Sequence, residues 1–211
     1  YETFLDGGET VINNTVATPN TPLVQSGSTT PLTTTAPNST IELANQLGFT
    51  STKKTAFVMA YDHQESVIKN IINSGTLTEA SSIDLLTTIL LTDFKVIELG
   101  SNATYEKYFQ MRESGQLGNQ NGSNKQKVDI NQVYTFYNLK SEIEMSDEQT
   151  DQFIRLFLKS EIEKRNIRAQ HKGNGKLINQ NLKALEQTTL QQLQNFLSNS
   201  QLQKLVQMIG G

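Results

Sequence analysis

An all-α fold, in which helical hairpins build a bundle that carries an extended N-terminal arm, is predicted by three observations. All four prolines, Pro19, Pro22, Pro31 and Pro37, lie in the first 37 residues, and no Lys or Arg precedes Lys53. From Ile41 onward, apolar residues recur at the three- and four-residue spacing of a helix face. Ser, Thr and Asp stand just before those periodic stretches, where a side-chain oxygen caps the free amides of a first turn.

The arm, residues 1–40, comes first. Its stretch 29–40 (TTPLTTTAPNST) mixes β-branched residues with proline, which forbids helix and predicts an extended or polyproline-like path. Fully extended, the forty-residue arm reaches on the order of 130 Å. The apolar pairs Phe4-Leu5, Val11-Ile12 and Leu23-Val24 are too sparse for a core, but each suits a pocket or sheet edge on a partner. Two readings stand: a disordered tether, or an arm docked on another subunit.

The body divides into a helical half at 41–114, a polar loop at 115–128 and a second half at 129–211. One stripe runs through Phe57, Tyr61, Ile68 and Ile72. Others run through Phe153, Phe157 and Ile162, and through Ile178, Leu182, Leu185, Leu193 and Phe196. Together they call for a common core. Helix starts are expected at Thr50 or Ser51, Thr78, Asp129 and Ser146, where Ser146-Asp147-Glu148-Gln149 reads as a capping box. Breaks are expected at Gly75, Gly100, Gly115 and 171–176.

Bulk numbers bound the function. A body of this size buries roughly two-thirds of its surface. The net charge of −3 opposes a nucleic-acid coat, which needs a basic excess. With no cysteine there are no disulfides, thiolate metal sites or cysteine nucleophiles. The longest aliphatic run, 89–91, is far short of the ~20 residues of a membrane span. The first residue is Tyr1, not Met, which points to sequence upstream. Four Asn-x-Ser/Thr sequons begin at Asn13, Asn38, Asn102 and Asn121, as many as an Asn- and Thr-rich chain carries by chance.

At an offset of 97, residues 99–111 (LGSNATYEKYFQM) align with 196–208 (FLSNSQLQKLVQM), identical at Ser101/Ser198, Asn102/Asn199, Lys107/Lys204, Gln110/Gln207 and Met111/Met208. With a one-residue shift Phe57 and Tyr61 fall on Phe153 and Phe157, so the two halves read as a tandem repeat of hairpins. In the second half, Met145-Ser-Asp-Glu-Gln149, a long amphipathic helix, and then 195–201 (NFLSNSQ) resemble the paired LTxxQ motifs of the periplasmic Spy/CpxP family. That resemblance implies a cradle of bent hairpins that binds unfolded or partner proteins without ATP. There are departures: Leu-Thr is replaced by Met145-Ser146 and Leu197-Ser198, Asn199 stands where Pro is usual, and the first half keeps only Phe49-Thr50 and Leu99-Gly100-Ser101 without the Gln. The S/T-x-x-Q pattern is also an ordinary helix cap.

Little catalytic chemistry is written in the chain. His63, within Asp62-His-Gln-Glu65, has carboxylate neighbours that point away from it on a helix, so no metal set forms. The segment 171–176 (HKGNGK) lacks the leading Gly and trailing Ser/Thr of a phosphate loop, and reads as a turn. Charge is segregated: Glu142, Glu144, Asp147, Glu148 and Asp151 form an acidic block, while Lys164, Arg165, Arg168, Lys172, Lys176 and Lys183 form a basic one. Local pairs are expected at Asp151/Arg155 and Lys159/Glu163. Either both blocks are solvated faces, or they dock complementary subunits.

The expected function is a non-enzymatic assembly component of a virion, appendage or envelope complex, needing no cofactor. Its partners are proteins, copies of itself or neighbouring subunits. They are met through Phe4, Leu5, Val11, Ile12, Leu23 and Val24 of the arm and through Lys164, Arg165, Arg168, Lys172 and Lys176 of the body. The alternative is an extracytoplasmic chaperone or stress adaptor resembling Spy/CpxP.

Overall fold

A computed structural model describes residues 39–117 and 129–210, with side chains to residue 208. The arm residues Phe4, Leu5, Val11, Ile12, Leu23 and Val24, and most of the polar loop, lie outside the described residues. The described chain is all-α: α1 (Thr40–Gln46), α2 (Ser51–Ser74), α3 (Glu79–Leu99), α4 (Asn102–Glu113), α5 (Ile130–Ile143), α6 (Asp147–Gln170), α7 (Gly175–Leu193) and α8 (Asn199–Gly210). Two boundaries move inward. Ser39 caps α1, so the body begins ahead of Ile41, and Leu117 is buried, so the first residues of the expected loop belong to the body.

The helix order repeats. The starts of α2, α3 and α4 recur at α6, α7 and α8 with an offset of 96 or 97, and α2 and α6 have 24 residues each. The repeat extends to single hydrogen bonds. α1 ends with Gly48 at φ +79 and Phe49 N–H donating to Ala44 O at 2.9 Å. α5 ends with Glu144 at φ +59 and Met145 N–H donating to Lys140 O at 3.0 Å. Both are Schellman ends, in which a left-handed residue lets the next amide reach back five positions, and both bury the following side chain, Phe49 or Met145.

α3 is the central element. It packs against α2, α4, α5 and α6, and five consecutive residues, 86–90, are buried. A helix covered over most of its circumference along its middle needs apolar or hydroxyl residues there, which is why α3 shows no simple stripe. Around it, Phe57 stacks near Phe49, Tyr61 and Tyr108 at 5.3–6.3 Å between ring centroids, and Phe136 meets Phe157 at 4.9 Å. Truncating a ring such as Phe57 costs about 3–5 kcal/mol.

α3 and α6 run antiparallel, since Arg155 pairs with Asp84 while Asp147 lies 3.4 Å from Lys95. α3 therefore starts about level with Ser160, and α6 continues to Gln170, an overhang of about 15 Å. α7 returns along α6 and is polar on its outer side, at Gln180, Lys183, Gln187 and Gln191, as befits the last helix of a stacked array. The expected stripes are corrected here. Ile72, at 58% exposure, lies outside the core, and Ile178, Leu182 and Leu185 are only half-buried because α7 has a neighbour on one side only.

Candidate functional site

The base of the α6–α7 hairpin is a built structure. Ser146 and Ser198 each accept a hydrogen bond from the Gln three residues on, at 3.1 and 3.2 Å, and each Gln carbonyl accepts from its own cap amide at 2.9 Å. These are two capping boxes of the same chemistry. They also face each other. Gln149 Nε2 donates to Gln201 Oε1 and Gln201 Nε2 to Gln149 Oε1, both at 3.1 Å. The second N–H of Gln149 reaches Phe196 O at 2.8 Å, and that of Gln201 reaches Glu144 O at 3.0 Å. Every donor and lone pair of the two amides is used. Lys204 adds an ion pair to Glu144 at 2.7 Å.

In the first half Lys53 stands at the position of Gln149, and no such box forms. Thr50 makes no side-chain capping bond, and Ser51 sits at φ +48. Lys107, the counterpart of Lys204, donates to Gln46 O at 2.6 Å instead. The departure noted in the sequence thus has a local consequence: only the second half carries the paired boxes.

Beyond this pinned base the hairpin runs to a tip at 171–174, where His171 closes α6, Gly173 takes φ +89 and Asn174 caps α7 through Leu177 N–H. The tip and its flanks hold Lys164, Arg165, Arg168, Lys172, Lys176 and Lys183, with no acid from 164 to 183. Lys164 pairs back to Glu161 at 2.7 Å. The remaining cations lie on the overhang.

Along the α6–α7 seam opens a groove of about 480 Å³. Leu156, Ile167 and Leu185 supply its apolar floor, and Thr188, Lys159 and His171 are among its walls. The expected Lys159–Glu163 pair does not form; both residues line the groove. In the first half Ile89 and Val96 are buried where Leu185 and Gln192 stand in the second, yet the α2–α3 seam also opens into a groove, of about 710 Å³, lined by His63, Val67, Ile71, Asp84 and Thr88 and by Arg155 of α6. Small and polar residues at Ser160, Ala184 and Thr188, with no further helix among the described residues outside them, leave the second seam open as well.

Three of the five acids of the acidic block pair locally. Asp151 holds Arg155 at 2.8 Å, Glu144 holds Lys204, and Asp147 joins Lys140 at 2.8 Å within a network of Lys95, Glu98 and Lys140. Hydrogen bonding from Lys140, and then the charges of Lys140 and Lys95, hold the Asp147 carboxyl below its ordinary range against the opposing effect of burial. Burial pulls Lys140 down, but its bonds to Asp147 and Glu98 win and raise it.

A second polar cluster went unseen in the sequence. Asp93, fully buried within the apolar run of α3, accepts from Arg112 at 2.7 Å and from the Tyr105 hydroxyl at 3.1 Å. Burial raises the Asp93 carboxyl, with the Arg112 charge opposing, and burial likewise raises the phenols of Tyr105 and Tyr108. The cluster is sealed from solvent, so it fastens α4 to α3 and offers no substrate a path. Among the described residues no group of three His, Asp or Glu is placed to hold a metal ion, and no helix is long and apolar enough to cross a membrane. Comparison with family models, curated proteins and solved structures found no match.

Proposed function

We propose that this chain is a non-enzymatic assembly component whose α6–α7 hairpin is the docking element and whose arm ties it to a neighbouring subunit. The observation that carries the reading is the hairpin itself. It is pinned at its base by Gln149 and Gln201, overhangs the first hairpin by about 15 Å and collects the basic block on that overhang. A rigid base with a charged, solvent-facing tip suits protein contact, where cations steer encounter and fix register. A tethered arm then binds at high effective concentration once the body has docked. The test is removal of residues 1–38, which spares the Ser39 cap. The helical circular dichroism of the body should persist while its oligomers vanish; oligomers that survive the deletion contradict the reading.

A second reading, a chaperone or stress adaptor resembling Spy/CpxP, is favoured by the facing capping boxes, because the motif positions that carry the resemblance meet in space. It predicts suppression of aggregation of an unfolded client by both the full chain and the arm-deleted one. Inertness of both forms in that assay removes it.

A further inference from the structure

We propose that the groove between α6 and α7 is the seat of residues 1–12 of a neighbouring copy of this chain. This rests on the assembly reading above and names the surface that the arm would occupy.

Charge is the first argument. Between residue 1 and Ser39 the chain has no cation, and its only acids are Glu2, Asp6 and Glu9. They bracket Phe4-Leu5 and precede Val11-Ile12, so apolar and anionic groups share one short head, while residues 10–38 are wholly uncharged. The groove presents the converse. Its floor is Leu156, Ile167 and Leu185, its walls include Lys159 and His171 beside the single acid Glu163, and Lys172 and Lys176 follow at its tip end. An apolar pair flanked by carboxylates suits these apolar side chains in an otherwise polar groove, with Lys172 and Lys176 beyond its tip end to meet the carboxylates.

Reach is the second argument. The uncharged tether from residue 12 to Ser39 spans up to about 90 Å, whereas α6, one of the two longest helices, is about 36 Å long. The tether is more than twice the length of the body's longest elements, ample for a groove on an adjacent molecule.

The absence of native cysteine allows a direct test in the full chain. Thr3→Cys combined with Thr188→Cys is oxidised and run without reductant, beside a control pairing Thr30→Cys, in the tether, with Thr188→Cys. Disulfide-linked dimers and a ladder of higher species are expected from the first pair at several times the yield of the control, and Lys172→Glu with Lys176→Glu should bring that yield down to the control. Equal yields from the two pairs, insensitivity to the charge reversal, or a link closed within one chain each overturn the inference. Sedimentation of the same samples separates the two levels. Arm-dependent oligomers without the link remove only the groove, whereas monomers at every concentration remove the assembly reading with it.

Discussion

Gln149 and Gln201 carry more structure than any other pair of residues in the second half. Each closes its own capping box and each satisfies the other, so the turn before α6 and the turn before α8 are held as one object. Because the two amides share partners, their deletions should not add. Gln149→Ala and Gln201→Ala are each expected to cost about 1–2 kcal/mol, and the double variant about 1 kcal/mol less than the sum. Urea titrations of the four proteins measure the coupling; strict additivity would show that the boxes act independently. The capping role of Gln149 was legible, since S-x-x-Q before an apolar run is a local pattern. Its partnership across 52 residues was not, because nothing local distinguishes a glutamine that caps from one that caps and also pairs. Asp93 was hidden for a related reason. An acid inside an apolar helical run is a visible anomaly, but its partners Tyr105 and Arg112 lie on the next helix, so only folding brings them together.

At the scale of the element, helix ends were the most readable feature. Thr78, Asp129 and Ser146 cap their helices as expected, and Gly75 closes α2 at φ +67. The two Schellman ends add a prediction. Gly48 adopts the left-handed conformation without a Cβ penalty, while Glu144 adopts it at φ +59 with one. Glu144→Gly should therefore raise Tm by about 2–4 °C despite the loss of its exposed ion pair with Lys204. A lower Tm would mean that the surface pair outweighs the backbone strain. The stripes on α7 misled for a tertiary reason. Spacing identifies which residues share a face, but Ile178, Leu182 and Leu185 stay half-buried because the array ends there.

At the scale of the whole molecule, the two halves differ in what covers them. α3 lies between α2 and α6 and is buried through its middle, whereas α7 ends the stack with its outer side exposed. The halves are joined at their flank by Lys95, Glu98, Lys140 and Asp147. The Asp147 carboxyl titrates lower in the folded chain than in the unfolded one, so the folded state binds fewer protons there. Its stabilisation is complete above about pH 4 and is lost as pH falls through the folded value. Asp147→Asn should be less stable than the parent at neutral pH by under about 1 kcal/mol, given the exposure of the side chain, and should converge with it once the pH falls below the folded value of Asp147. A difference that persists unchanged at low pH would place the effect in packing.

The central claim is that the overhanging α6–α7 hairpin is where this molecule meets its partner. Hydrogen exchange of the full chain, compared at concentrations where it is assembled and where it is dispersed, addresses that claim most directly. Assembly should slow exchange across residues 156–192 and leave the α2–α3 tip around residues 72–79 unchanged. Protection that gathers on the first hairpin, or none at all on the second, contradicts it.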